Sequence, residues 1–200
     1  MAFEKLRTRL EQNGYTVSVF STAAEAADYL NGEIDGKTVG IGGSMTITQM
    51  GLPERLAAHN TLCSHWHTEG DSAEAIRRAM TTDVYLLSAN AIAEDTGEIL
   101  NIDGTGNRVS SSLFGHKKVY FVAGKNKVSE NYDRALWRLR NVVAPKNAQR
   151  LKRNTPCAVH ADHCYDCDCP ERICNALVVF YKKIRSMDME VVLIDEELGY

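Results

Sequence analysis

Three short apolar runs in this chain end in polar turns, two of them glycine-bearing, and that arrangement restricts the fold more than any other feature. Thr38-Val39-Gly40-Ile41 runs into Gly42-Gly43-Ser44, Val84 to Leu87 leads to Ser88 and Asn90, and Val119 to Val122 ends at Gly124-Lys125-Asn126-Lys127. Runs of this kind read as buried strands. Tyr15 to Phe20, Thr61 to Trp66, Glu98 to Ile102, Leu177 to Tyr181 and Val191 to Ile194 read as further extended segments. Helical stretches separate them. Phe3, Leu6 and Leu10 recur at helical spacing. Thr22 to Glu25 is a capping box ahead of an apolar face of Ala23, Ala26, Ala27 and Leu30, and Asp71 to Glu74 is an aspartate variant opening a helix through Met80. Ile47 to Ala58, with Gly51 and Pro53 near its start, and Asn131 to Val143 read as helices, and Pro145 opens a further short one to about Leu151.

Strands alternating with helices predict a layered α/β fold with a mostly parallel sheet. At 200 residues the chain suits a single domain, 1–200, with a cysteine-rich segment at 157–174 inside it. In a parallel sheet the polar turns open on one edge, beyond the carboxyl ends of the strands, where ligands of such folds bind. A small anionic metabolite is the expected occupant.

The densest polar stretch is Asn101-Ile102-Asp103-Gly104-Thr105-Gly106-Asn107-Arg108. Asp103 is a candidate catalytic base, Gly104 and Asn107 candidate ligand contacts, and Arg108 a bidentate clamp for a carboxylate or phosphate. The competing reading is a loop in which Asp103 and Arg108 satisfy each other. Gly42, Gly43 and Ser44 precede a helix, so their backbone N–H groups are candidates for cradling an anion. The spacing matches neither a Walker loop nor a dinucleotide fingerprint. Asn90, Lys125 and Asn126 complete the candidate pocket. His65 and His67 flank Trp66 and read as an ordinary surface pair.

The formal net charge of -3 gives no general affinity for nucleic acid. Lys117 to Arg153 nevertheless holds eleven Lys and Arg against Glu130 and Asp133, which reads as a solvated basic face or as a surface for an acidic redox partner. No apolar run approaches the ~20 residues needed to cross a bilayer, and the N-terminus lacks a signal-peptide core, so a cytoplasmic protein independent of membranes is expected.

Five of the six cysteines fall between Cys157 and Cys174. In a reducing compartment such density points to metal rather than disulfides. Cys164-x2-Cys167 is the chelating core, with Cys157 and Cys174 on either side as the other two thiolates. Cys169 is an alternative to one of them, and His160 or His163 an alternative in a mixed zinc site. Spacing alone leaves zinc and an iron–sulfur cluster open.

Gly40 to Thr46, Ser88-Ala89-Asn90-Ala91-Ile92, Asn101 to Arg108, Gly124 to Lys127 and Ala144-Pro145-Lys146-Asn147 together resemble the lactate-utilisation (LUD) domain family. The likeness spans nearly the whole chain. The ending Thr155-Pro156-Cys157, Cys164-x2-Cys167 and Arg172-Ile173-Cys174-Asn175 is similar to a short stand-alone form with a cysteine motif. The resemblance implies a fold like that of the sugar-phosphate isomerase and CoA-transferase superfamily. It also implies a link to bacterial oxidation of L-lactate to pyruvate, where related subunits carry iron–sulfur clusters and pass electrons on. It favours an iron–sulfur centre over zinc. Three roles follow: a redox-associated protein that relays electrons, an isomerase- or transferase-like enzyme with a structural zinc, and a non-catalytic binding module.

Overall fold

The computed structural model describes residues 3–200. Six strands form one sheet in which every pair is parallel. They are β1 (Thr16–Phe20), β2 (Thr38–Ile41), β3 (Thr61–Cys63), β4 (Val84–Leu87), β7 (Lys118–Gly124) and β10 (Asp188–Ile194), in the order β1-β10-β7-β4-β2-β3. The layered, mostly parallel α/β expectation therefore holds.

Both faces of the sheet are buried, so its strands carry apolar residues on each side of the pleat. Along β10, Val191 and Leu193 join one core while Val192 and Ile194 join the other. In β7, Val119 and Phe121 part from Tyr120 and Val122 in the same way. One core is closed by α1 (Glu4–Gln12) through Leu6 and Leu10. The opposite core is closed by α2 (Ala23–Glu33), α3 (Met45–Gln49) and α4 (Leu52–Ala57). The Thr22 capping box forms, with Glu25 N–H donating to the Thr22 hydroxyl and the Glu25 carboxylate accepting from Thr22 N–H. Asp71 caps α5 (Ser72–Ala79) by accepting from Ala73 N–H at 2.9 Å.

A second, four-stranded sheet runs β8-β5-β6-β9, built from β5 (Ala91–Ala93), β6 (Ile99–Asp103), β8 (Val128–Ser129) and β9 (Ala176–Phe180). Its β5–β6 and β6–β9 pairs are antiparallel and its β5–β8 pair is parallel. It branches from the chain after β4 and again after β7, and it carries the Asn101 to Arg108 stretch to the carboxyl edge of the large sheet. A small core of Ala91, Ala93, Leu100, Ala135 and Leu139 joins it to α7 (Tyr132–Arg138).

Several elements differ in extent from the sequence expectation. Ile47 to Ala58 is two helices, because the chain breaks at Gly51 ahead of Pro53. The helix from Asn131 does not stop near Val143. It passes through a π-helical turn, Leu139–Val143, into α8 (Ala144–Arg150), where Pro145 is tolerated in the first turn. Asn107 and Arg108 belong to a helix, α6 (Asn107–Leu113), rather than to a loop, and Pro156 opens α9 (Pro156–His160) inside the cysteine-rich region. No helix among the described residues is long and apolar enough to cross a membrane.

Candidate functional site

A cleft of about 460 Å³ opens at the carboxyl edge of the parallel sheet, within the range of small-ligand sites. Gly43 and Ser44 after β2, Ser88 and Asn90 after β4, Lys127 after β7, and Asp103, Gly104, Thr105, Asn107 and Arg108 at and beyond the end of β6 all line it. The turns after β2, β4 and β7 converge by topology, since parallel strands deliver their C-terminal turns to one side, and the second sheet brings the end of β6 to the same edge.

Arg108 organises the floor. Its Nη1 donates to the Ser88 carbonyl at 3.2 Å and to Asn101 Oδ1 at 3.0 Å, and its Nη2 donates to Asn90 Oδ1 at 3.0 Å and to the Ile102 carbonyl at 2.7 Å. Its Nε lies 3.7 Å from Asp103 Oδ2. Burial draws its pKa down, and the nearby Asp103 charge opposes that. The guanidinium thus ties β4, β5 and β6 together, and the four N–H donors of its two terminal nitrogens are spent on the protein. Asp103 is committed in the same way. Oδ1 accepts from Thr105 N–H at 3.0 Å and Gly106 N–H at 2.9 Å, and Oδ2 accepts from Val109 N–H at 3.3 Å. These contacts shape the turn and hold the start of α6.

Two glycines let bulky groups reach the cleft. A Cβ on Gly43 would stand 2.8 Å from the Trp66 ring, and one on Gly42 would stand 2.9 Å from the Arg108 side chain. The Arg150 guanidinium lies over the Trp66 ring, 4.7 Å from its centroid. Arg150 also donates twice to Asn147 Oδ1, at 3.1 and 2.8 Å. The Ser44 hydroxyl accepts from Ile47 N–H at 3.3 Å, which caps α3.

The charge lining the cleft is unbalanced. The charged side chains that face it are Lys127, Arg108, Arg150, Arg153 and Arg172, against Asp103 and Glu171, and Lys127 donates to the main-chain oxygen of Tyr200 at 2.8 Å. Both acids have partners of their own, since Glu171 accepts from Asn154 N–H at 3.0 Å. The Arg153 side chain has no acceptor among the described residues. The surplus of positive charge suits an anionic ligand.

The cysteine-rich segment is one wall of this cleft. Pro170 to Ile173 line it, and the segment is pinned to the central turn by Asn175. Asn175 N–H donates to the Asp103 carbonyl at 3.0 Å and its Nδ2 to the Gly104 carbonyl at 3.1 Å. Gly104 makes this possible, because a Cβ there would lie 2.7 Å from the Ile173 carbonyl oxygen. Behind the wall, Cys164 and Cys167 lie close enough to help raise the Cys174 thiol, whose pKa is pushed up first by burial and drawn down by Arg172. Arg140 Nη2 reaches Cys164 Sγ at 3.7 Å, and Asp166 N–H donates to the same sulfur at 3.3 Å. Cys157 is next to Thr155, and Cys169 turns to the Asn154 carbonyl at 3.4 Å. Among the described residues no three His, Cys, Asp or Glu side chains are drawn together in a metal-ligating set. Soft thiolates flanked by two guanidiniums and an N–H···S bond nonetheless fit a thiophilic metal centre chemically.

Residues 3–194 match the family model of the LUD domain. The chain belongs to the LUD domain family. A solved structure of a DUF162 family protein from Deinococcus radiodurans is similar to it with a TM-score of 0.52 at 10% identity, covering 95% of this chain and 94% of that one. At that identity the likeness is one of fold. No curated protein matches the chain.

In this LUD domain, the residues singled out from sequence sort by where they point. Gly43, Ser44, Asn90, Asp103, Gly104, Asn107 and Arg108 line the cleft, and Gly42 lies under Arg108. Lys125 and Asn126 do not line it. Lys125 pairs with Asp195 at 3.1 Å, and Asn126 Oδ1 accepts from Leu198 N–H at 3.1 Å. Lys127 takes the inward place, because the short 3₁₀ turn at Lys125–Lys127 carries successive side chains to different sides. His65 and His67 are half-buried rather than surface residues, and His65 lines the cleft beside Trp66. Burial, then the neighbouring His67, hold the His65 pKa down. Asn147, by contrast, stood in the Ala144 to Asn147 motif, and that motif was the available signal for α8 as a wall.

Proposed function

We propose that this LUD domain binds a small carboxylate or phosphate metabolite in its positive cleft. We further propose that Cys157, Cys164, Cys167 and Cys174 hold an iron–sulfur cluster, in preference to zinc, for electron transfer linked to lactate utilisation. Family membership supports the metabolic link. The observation that carries the reading is the shared wall: the segment holding the thiols is hydrogen-bonded through Asn175 to the turn that floors the cleft.

The chain's own groups divide the work. Lys127, Arg150 and Arg153 supply positive charge for an anion, while Arg108 and Asp103 keep the floor rigid. Arg140 and Arg172 place positive charge beside Cys164 and Cys174, and both guanidiniums are held more firmly protonated by those sulfurs. When bound, the cluster supplies one-electron acceptor chemistry. The basic run from Lys117 to Arg153 offers an acidic redox partner a complementary surface. An isomerase-like role with Asp103 as base is less well supported, because both its oxygens already accept backbone N–H groups.

The test is anaerobic purification followed by iron and acid-labile sulfide assay and a visible spectrum. The expected outcome is a coloured protein that loses colour, iron and sulfide together in Cys164→Ser and Cys167→Ser. A colourless protein holding one zinc per chain rules out the electron-transfer role.

A further inference from the structure

We infer that the cysteine segment is a strap that closes on the cleft's anion, and that Arg172 is the group through which the anion holds it down. This rests on the cleft being an anion site, as proposed above, and names a device that regulates it.

Residues 161–175 form no helix or strand, and no residue from Val159 to Val179 is buried. Apolar burial therefore does little to hold the segment in place. A few polar contacts dock it instead. Cys164 N–H donates to Asn141 Oδ1 at 3.1 Å, and Arg140 Nη2 donates to Asp166 Oδ1 at 2.8 Å. Further along, Asn154 N–H donates to the Glu171 carboxylate and Cys169 Sγ to the Asn154 carbonyl. At the far end Asn175 donates to the Asp103 and Gly104 carbonyls. Each of these bonds is exchanged for bonds to water when the segment lifts, so each adds little on balance. A segment held in this way opens at small cost, and a ligand that favours the closed form shifts it.

Arg172 gives the anion that preference. Its Nε donates to the Cys174 carbonyl at 3.2 Å and its Nη1 to the Cys167 carbonyl at 2.8 Å, so the guanidinium is fixed to the strap and moves with it. Its Nη2 makes no hydrogen bond among the described residues, with Asp166 Oδ1 at 3.8 Å. The side chain is 35% exposed and lines the cleft. Arg153, whose side chain has no acceptor among the described residues, lines the same cleft just beyond α8. The Asn154–Glu171 bond joins the two stretches of chain that carry Arg153 and Arg172. An oxyanion held by both guanidiniums is gripped by the body on one side and by the strap on the other, which requires the strap to be down. Binding and closure therefore favour each other. Arg108, Arg150 and Lys127 belong to the body, so an anion on them alone leaves the strap free.

The experiment is hydrogen–deuterium exchange read by mass spectrometry on the full chain purified anaerobically, with calorimetry to measure affinity. Inorganic phosphate and pyruvate are the probes, and which one binds separates a phosphate from a carboxylate source. A saturating probe is expected to slow exchange across residues 163–175 at least ~5-fold and to leave the six-stranded core unchanged. Asn175→Ala loosens the strap without removing a cation from the cleft. It is expected to exchange faster over the same residues, to bind ~2–5-fold more weakly and to regain protection at saturation. Arg172→Gln is expected to bind at least ~10-fold more weakly and to exchange as fast with the probe as without it. If Arg172→Gln does not fold, the wild type and Asn175→Ala carry the test. Protection restored by the probe in Arg172→Gln would reduce Arg172 to a structural link and overturn its assignment. Binding to the wild type with unchanged exchange at 163–175 overturns the inference and leaves the anion site standing. Binding of neither probe overturns both.

Discussion

Arg108 lines the cleft, yet its hydrogen bonds serve the fold. The Arg108 guanidinium is neutral in purpose although charged, because every hydrogen bond it makes is to a protein acceptor. Replacing it by methionine keeps apolar volume but strips partners from the Ser88 and Ile102 carbonyls and from Asn90 and Asn101 Oδ1. Unsatisfied buried acceptors cost on the order of 1 kcal/mol or more each, so Arg108→Met is expected to lose about 3–5 kcal/mol of stability. Urea unfolding followed by far-UV circular dichroism measures it. A loss under about 1 kcal/mol with anion binding abolished would instead make Arg108 a ligand contact.

The central turn and the cysteine segment meet at Gly104, and the contact is backbone against backbone. A methyl group at that position would stand 2.7 Å from the Ile173 carbonyl oxygen, so the two strands of chain must part. Gly104→Ala is therefore expected to loosen residues 170–175 while the six-stranded core persists. Trypsin should cut after Arg172 faster in this variant at an almost unchanged melting temperature, and equal cutting rates would refute the docking. Nothing in the sequence announced this contact, because it joins residues about 70 positions apart through main-chain atoms. The parallel sheet was legible, since most of its strands are unbroken apolar runs and their polar turns must share an edge. The second sheet was legible only in part, through Glu98 to Ile102 for β6 and Leu177 to Tyr181 for β9. β5 has three residues and β8 two, too short for any period to show. Nor did Gly106, the residue before α6, offer a side-chain cap to mark the start of that helix.

The protonation state of the whole molecule gives a signature that mutating single contacts does not. Burial holds His65 and His116 below the ordinary histidine range, so the unfolded chain takes their protons first and stability is lost as pH falls below about 6.5. Tyr85, raised to about 12 by burial, and the similarly raised Tyr15, Tyr120 and Cys174 act in the opposite direction. The unfolded chain gives up those protons first, so their contribution drains away at alkaline pH. Unfolding free energies measured from about pH 5 to 8 are expected to fall as pH drops below about 6.5. His116 is buried, with Nδ1 2.7 Å from the Thr82 carbonyl and no partner at Nε2 among the described residues. His116→Gln is therefore expected to flatten that fall, with urea unfolding as the measurement. A fall that His116→Gln leaves unchanged would place the titrating group elsewhere and mean that water reaches the His116 ring.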